Sequence, residues 1–188
     1  IFDVHYFSLT HRRFPPNFTI DNPETTLQYM FLALYRLLLA RNKALGILAV
    51  SSFLKMKIIK WSYIEHTIIR NFAILNSCWA QGSVTIARHL FQQRLDIFIM
   101  SVGPQHKGLL TAINNRKFEL AKFIVDSLPN YDFSLNHNYL NVIIEATIFV
   151  EFWDLLDELY RRCPTSFNHL HLISAAKKGS VRALRTLS

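Results

Sequence analysis

The stretch from Lys107 to Pro129, KGLLTAINNRKFELAKFIVDSLP, decides the fold. Two short apolar segments, 109–113 and 118–125, flank four polar residues, and the closing proline cannot continue a helix. In the second segment, Phe118, Ala121 and Ile124 recur at helical spacing and form one apolar stripe. The stretch predicts two helices joined by a tight turn, and so small a unit must be covered by a similar one.

Copies of this unit recur along the chain with a period of 31 to 34 residues, which is typical of repeat proteins. Four columns stay apolar when the copies are aligned on the residue predicted to open the second helix. The columns are Val84, Phe118, Val150, Val181; Ile86, Leu120, Phe152, Ala183; Ala87, Ala121, Trp153, Leu184; and Leu90, Ile124, Leu156, Leu187. We predict that Leu120 and Ile124 lie between neighbouring repeats. The column predicted to form the turn between the two helices holds Gly82 in the first copy and Gly179 in the last, and glycine adopts positive φ without strain. In the two middle copies the same column holds Arg116 and Ile148.

The pattern resembles the ankyrin repeat, whose unit is a pair of antiparallel helices followed by a projecting loop. The best matches are residues 77–88, 112–125 and 175–184, in which small residues open the turn. The Thr-Pro-Leu-His opening of the family is absent, since residues 107–110 read Lys-Gly-Leu-Leu, and so is its Gly-Ala-Asp loop. The sequence is therefore also compatible with other kinds of solenoid built from helical pairs. Eroded repeats rich in Phe, Ile and Asn are similar in style to the multigene-family ankyrin proteins of large DNA viruses such as African swine fever virus.

The predicted fold is all-α, a solenoid of stacked antiparallel helix pairs with an irregular N-terminal part. We expect an extended arm over residues 1–25 and one solenoid domain over 26–188. Its clearest repeats are 72–103, 104–137, 138–168 and 169–188, the last one truncated. No low-complexity linker divides the chain, and two cysteines in 188 residues favour a reducing compartment over a disulfide scaffold.

The segment 24–40 is strongly apolar and admits two interpretations, a membrane span or a buried solenoid helix. Arg36 interrupts the run and Arg41 closes it, so no uncharged stretch reaches the length of about 18 residues that a span needs. We predict the buried helix and no membrane span. Residues 44–54 predict a degraded second helix of a repeat, and residues 55–69 predict a helix with one basic face, carrying Lys55, Lys57 and Lys60.

Charge is distributed unevenly along this basic chain, whose formal net charge is +8. Residues 41–70 hold six basic residues and one acidic, and residues 161–188 hold six basic and none acidic, whereas 111–160 are mainly acidic. Nucleic-acid or nucleoprotein binding through 41–70 and 161–188 is therefore an alternative function. A nucleic-acid-binding protein more typically carries one continuous basic stripe. We therefore favour the interpretation that these basic segments are ordinary solvated surfaces.

Groups that could carry chemistry are few. Cys163, His169 and His171 lie close in sequence, and His137 is a further candidate metal ligand. A zinc site usually needs two closely spaced ligand pairs, and the second pair is missing. We therefore predict that the histidines lie in loops. Glu151, Asp154 and Glu158 predict one acidic face of a helix, which is more typical of a solvated surface than of acid-base catalysis. Cys78 is predicted to be a buried small residue.

These observations predict a non-catalytic scaffold, with no cofactor or metal, that binds another protein. The viral resemblance implies a host protein as the partner and the host cytoplasm as the location. The candidate contact residues lie in the two longest irregular links, where aromatic and hydrogen-bonding groups alternate. They are Tyr131, Phe133, Asn136, His137, Phe167, Asn168 and His169, of which the two phenylalanines could instead seal the ends of the core.

Overall fold

The computed structural model describes residues 23–128 and 137–187, and every regular element in these two ranges is a helix. The prediction of an all-α protein is therefore confirmed. The α-helices are α1 (Pro23–Arg41), α2 (Lys43–Lys55), α3 (Trp61–Ile69), α4 (Phe72–Gln81), α5 (Val84–Gln93), α6 (Leu95–Val102), α7 (Gly108–Asn114), α8 (Phe118–Ser127), α9 (His137–Val150), α10 (Trp153–Arg162), α11 (His169–Lys177) and α12 (Val181–Leu187). A 3-10 helix, Pro164–Ser166, follows α10.

Five connections between helices share one backbone geometry. A residue with positive φ follows the helix end in each, and these residues are Lys57 (58°), Gly82 (75°), Arg116 (56°), Glu151 (65°) and Gly179 (66°). Its N–H donates to the carbonyl three residues earlier, and the next N–H donates to the carbonyl five residues earlier. This pair of bonds is the Schellman motif, which satisfies carbonyl groups that a helix end leaves free.

The five turns divide the helices into two sets. We call α2, α4, α7, α9 and α11, which precede the turns, the leading helices, and α3, α5, α8, α10 and α12, which follow them, the trailing helices. The leading helices pack against one another in chain order, α2 on α4, α4 on α7, α7 on α9 and α9 on α11. Trailing α5 packs on α8, and α10 packs on α12, while α1 packs along α2. Each turn-joined pair therefore has its sequence neighbours as its neighbours in space.

An aromatic cluster of the core lies where α4, α6 and α8 meet. Trp79 and Phe98 are fully buried, and their rings meet edge to face with centroids 6.2 Å apart. Phe123 reaches the same cluster, 6.3 Å from Phe98. Gly108 opens α7 against this cluster, and a Cβ at that position would lie 2.5 Å from the carbonyl oxygen of Ser101, so no larger residue fits. Leu120 and Ile124, predicted to be interior, are fully buried in α8.

The predicted register is wrong in the third copy of the repeat. Val150 ends α9, and the trailing helix begins at Trp153, so the turn residue is Glu151 instead of Ile148. With the copy shifted by three residues, the interior columns contain residues that are all buried except the half-buried Leu184. The corrected columns are Ile86, Leu120, Leu155, Ala183; Ala87, Ala121, Leu156, Leu184; and Leu90, Ile124, Leu159, Leu187.

Two predictions for the N-terminal half are also wrong. Residues 44–54 do form a helix, but their predicted place as the second helix of a repeat is wrong, because α2 is followed by a left-handed turn at Lys57 and packs against α4, as a leading helix does. The predicted basic helix does not extend over 55–69, because Lys55 ends α2, Lys57 forms the turn and Lys60 caps α3. These three lysines are exposed around a turn and do not share a helix face.

Helix α1 begins at Pro23, inside the segment predicted as an extended arm, and residues 1–22 lie outside the described ranges. The prediction of a buried helix over 24–40 holds for one side of α1, whereas the other side is exposed. Tyr35 is completely buried and its hydroxyl lies 3.3 Å from the Thr67 hydroxyl, whereas Leu34 is 43% exposed. Across residues 23–128 and 137–187, none of the helices combines the length and apolar character required to cross a bilayer.

Candidate functional site

Three positions of the leading helices can be compared between the pairs by counting back from the turn residue. The positions nine, six and two residues before each turn residue are exposed or half-buried, as helical periodicity requires. The three columns are Leu48, Ala73, Lys107, Val142, Leu170; Ser51, Asn76, Leu110, Glu145, Ile173; and Lys55, Ala80, Asn114, Phe149, Lys177. Of the strongly exposed large apolar residues in these columns, Leu48 belongs to the first pair and the other four belong to the last two pairs.

Four large apolar side chains on α9 and α11 are exposed together. Val142 is 47% exposed and Phe149 64%, both on α9, and Leu170 is 55% and Ile173 45% exposed on the adjacent α11. We call these four residues the α9/α11 patch. Exposed large apolar side chains on adjacent helices are candidates for a contact site.

A pocket of about 200 Å³ lies beside this patch, between α9 and the C-terminal end of α11. Glu145, Ile148, Phe149, Ser174, Lys177 and Lys178 line it. The Ser174 hydroxyl donates to the Glu145 carboxylate at 3.0 to 3.1 Å, and the Lys178 ammonium lies 4.1 Å from the centroid of the Phe149 ring. Small-molecule sites usually occupy about 300 to 1,000 Å³, so this pocket is sized for a single side chain.

The basic residues near the C-terminus divide into two groups by their partners. Arg182 contacts Asp154 and Asp157, both at 2.7 Å, and Arg162 pairs with Glu158 and donates to the Val125 carbonyl at 2.8 Å. The acidic and basic segments seen in the sequence therefore partly neutralise each other. Within the described residues, none of the ion pairs includes Lys177 or Lys178.

The structure describes four of the seven predicted contact residues. His137 is exposed at the start of α9, and Asn168 and His169 are exposed at the start of α11. The Phe167 ring is half-buried against Tyr160, with centroids 5.1 Å apart, so it seals the end of the core as one alternative predicted. Tyr131, Phe133 and Asn136 lie outside the described residues.

The prediction that the histidines lie in loops is wrong for most of those described, since they belong to helices. His171 lies in the first turn of α11, where its Nδ1 accepts from the backbone N–H of Asn168 at 3.1 Å while the Asn168 side chain accepts from Leu170 N–H at 2.9 Å. This is a capping box, and burial lowers the pKa of His171. Among residues 23–128 and 137–187, no group of three or more histidine, cysteine or carboxylate side chains could hold a metal ion.

The predicted acidic face of a helix is only partly present. Glu151 is the turn residue before α10, so it leaves the face that Asp154 and Glu158 share. Glu158 pairs with Arg161 and Arg162, and these bonds hold the pKa of its carboxyl below the ordinary value. Cys78 is fully buried, as predicted, and burial raises the pKa of its thiol, which favours the uncharged form.

Sequence reasoning missed the α9/α11 patch because the third copy was placed three residues out of register. With Glu151 in the turn column, Phe149 is the single aromatic residue in a column that otherwise holds Lys55, Ala80, Asn114 and Lys177. A large aromatic residue in a solvent-facing column is a signal that the correct register would have revealed.

Comparison with family models, curated proteins and solved structures gave no match to this chain. The geometry of the exposed surfaces is therefore the basis of the functional argument.

Proposed function

We propose that this chain is a non-catalytic scaffold that binds another protein, and that its five turn-joined helix pairs form an ankyrin-like solenoid. The common Schellman geometry of the five turns and the packing of the leading helices in chain order support this architecture. Stacked helical pairs create an extended surface along one side, on which residues are free to vary without loss of the core. Following the viral resemblance, we propose a host protein in the cytoplasm as the partner.

The observation that carries the proposal is the α9/α11 patch. Val142, Phe149, Leu170 and Ile173 are each about half exposed or more, on adjacent helices whose other sides already complete the core. Because these side chains are already about half buried, covering the rest of each in an interface contributes about half of the ~1.5 to 3 kcal/mol that a fully exposed side chain would contribute. The candidate residues His137, Asn168 and His169 begin the same two helices, so they would form a polar rim around this apolar centre.

Site-specific photo-crosslinking tests the proposal in the full chain. A benzophenone amino acid replaces Phe149, and, as a matched control, Tyr63, which is 45% exposed on trailing helix α3. In host cytosol we expect one discrete adduct from position 149 and none from position 63. Replacing Val142 and Ile173 with serine should abolish that adduct and weaken affinity for the isolated partner by about 10-fold or more, with the same helical circular dichroism. Equal adducts from both positions, or adducts that persist in the serine variant, would contradict the proposal.

Binding of nucleic acid through residues 41–70 is the second candidate function, because Lys55, Lys57 and Lys60 are all exposed around one turn. Residues 161–188 support it less, since Arg162 and Arg182 already contact carboxylates. Fluorescence anisotropy with a short labelled RNA and a short DNA duplex distinguishes the candidates. Phosphate binding should weaken by orders of magnitude as salt rises several-fold, and it should be lost when the three lysines are replaced by alanine.

A further inference from the structure

We infer that the partner binds through a segment that carries one large apolar side chain next to carboxylates. The apolar side chain would enter the pocket between α9 and α11, and the carboxylates would contact Lys177 and Lys178. This inference rests on the proposed function, because it assigns the chemistry of the partner to the surface described there.

The size and the lining of the pocket define the anchor. Its volume of about 200 Å³ accommodates one side chain, and Phe149 and Ile148 form its apolar part. Phe149 is 64% exposed and continues the pocket into the α9/α11 patch. An aromatic or large aliphatic residue of the partner would therefore be covered on several sides, as the central anchor of an interface is.

The charges around the pocket define its neighbours. The Glu145 carboxylate shares the hydrogen of the Ser174 hydroxyl between its two oxygens, at 3.1 and 3.0 Å, and is the single acidic group of the described side chains that line the pocket, beside two lysines. Lys178 is placed over the Phe149 ring at 4.1 Å, where the ring face stabilises its ammonium group beside the pocket. Among the described residues, neither Lys177 nor Lys178 forms an ion pair, whereas Arg162 and Arg182 nearby in sequence do. The donors left for a ligand are thus the two ammonium groups, and their complement is a carboxylate.

The charge of the surroundings favours the same partner. The chain carries a formal net charge of +8, which attracts an acidic segment and repels a basic one before contact. A basic segment would have to approach Lys177 and Lys178 to reach Glu145, and the two ammonium groups outnumber this one carboxylate around the pocket. An acidic segment with an apolar anchor meets no such opposition.

Selection from a phage-displayed library of random peptides tests the inference on the full chain. The unmodified chain should enrich peptides in which Phe, Trp, Leu or Met lies within a few residues of Asp or Glu. The variant Lys177→Glu/Lys178→Glu should instead enrich Lys and Arg beside the same anchors. The variant Lys55→Glu/Lys60→Glu makes an equal change of charge at a distant turn and should select the same peptides as the unmodified chain.

A synthetic peptide from the selection then gives the quantitative test. Its Kd should rise about 10-fold or more with Lys177→Glu/Lys178→Glu, and replacing its carboxylates by lysine should restore binding to that variant alone. Peptides that depend on Val142 and Ile173 but show no acidic preference and no response to charge reversal would overturn the inference and leave the proposed function standing. Peptides insensitive to Val142, Phe149 and Ile173 would reject the surface itself. Displacement of the peptide by a short RNA at physiological salt would assign the lysines to nucleic acid and overturn the inference.

Discussion

Left-handed turn residues show how strongly single positions are constrained. Five turns need positive φ, but only Gly82 and Gly179 are glycines, while Lys57, Arg116 and Glu151 adopt the same conformation with a side chain. Positive φ costs a residue that has a Cβ atom about 1 kcal/mol of conformational free energy relative to glycine. The surrounding helices must supply that energy, so the three positions are sites at which stability can be gained.

Exchanging the residues at two turns tests this cost. Arg116→Gly should raise the free energy of unfolding by up to about 1 kcal/mol, because glycine accepts positive φ without strain. Gly179→Ala should lower it by about the same amount, since a Cβ at Gly179 meets no atom within 4 Å and the cost comes from φ alone. Urea denaturation followed by circular dichroism measures both. Arg116→Ala is the control for loss of the side chain, and a gain in stability from that variant equal to that of Arg116→Gly would contradict the explanation.

The capping box at the start of α11 makes stability depend on pH. Burial lowers the pKa of His171 from its ordinary value of 6.5, so the unfolded chain binds a proton at a higher pH than the folded chain does. Stability should therefore fall as the pH drops below about 6.5, by at most about 1.4 kcal/mol per pH unit for one proton. His89, whose pKa is also lowered by burial, contributes in the same direction.

Replacing His171 with glutamine separates this contribution from the others. Glutamine can accept from the Asn168 N–H, as glutamine and glutamate do in many capping boxes, but it does not titrate. We expect His171→Gln to have a smaller loss of stability than the unmodified chain between about pH 7 and about pH 5.5, with the His89 contribution remaining. The urea midpoint of each chain is measured at both pH values. An identical change of midpoint with pH in the two chains would contradict the assignment to His171.

At the scale of the element, α8 shows how a helix divides between core and solvent. Leu120 and Ile124 are fully buried on one side, and Lys122 is exposed on the other. Replacing Leu120 with Asp would place an unpaired charge in the interior and should cost several kcal/mol, with loss of cooperative unfolding. Lys122→Asp is the control on the solvent side and should change stability by less than about 0.5 kcal/mol. Thermal melts followed by circular dichroism compare them, and a parental melt for Leu120→Asp would contradict this packing.

The elements that could be predicted from the sequence are those with periodic polar and apolar residues. Helices α7 and α8 have this periodic pattern, and polar residues form the turn between them. The positions of both helices therefore agree with prediction. Helix α9 lacks the pattern, because residues 142–150 are nearly all apolar and its turn residue is Glu151 rather than glycine. The end of α9 was therefore misplaced. The spread of Lys55 and Lys60 around a turn was missed for the same reason, since the turn residue Lys57 gives no local signal.

The patch and its pocket belong to the scale of the whole molecule and depend on packing that spacing alone does not reveal. Phe149 and Lys178 come together because α9 and α11 are neighbours, and the sequence places them 29 residues apart. The sequence did indicate the ends of the same helices, where His137 and His169 are exposed. Which apolar residues of α9 face solvent follows only after α7 and α11 have covered its other sides.

Stability should also vary along the chain, because each pair is held mainly by its neighbours. Every helix from α1 to α10 contributes a large, fully buried side chain, whereas the buried residues of α11 and α12 are His171, Ala175, Ala183 and Leu187. Stacks of this kind behave as coupled units with separate local stabilities. We therefore expect backbone amides of α11 and α12 to exchange with deuterium sooner than those of α4 and α7.

Two alanine variants test this gradient by hydrogen-deuterium exchange with mass spectrometry. Leu187→Ala removes most of a buried side chain and should lower the local stability by about 2 kcal/mol or more. Exchange should therefore become faster in α11 and α12 while α4 stays protected. Leu120→Ala, in the middle of the stack, should speed exchange on both sides of α8. Helices α5 and α7 pack on α8, and Arg162 of α10 donates to the Val125 carbonyl of α8, so exchange should rise in all three, because central units support neighbours in both directions. If Leu187→Ala accelerated exchange equally in α4 and α12, the chain would unfold as one cooperative unit, and the separate stabilities of its helix pairs would be rejected.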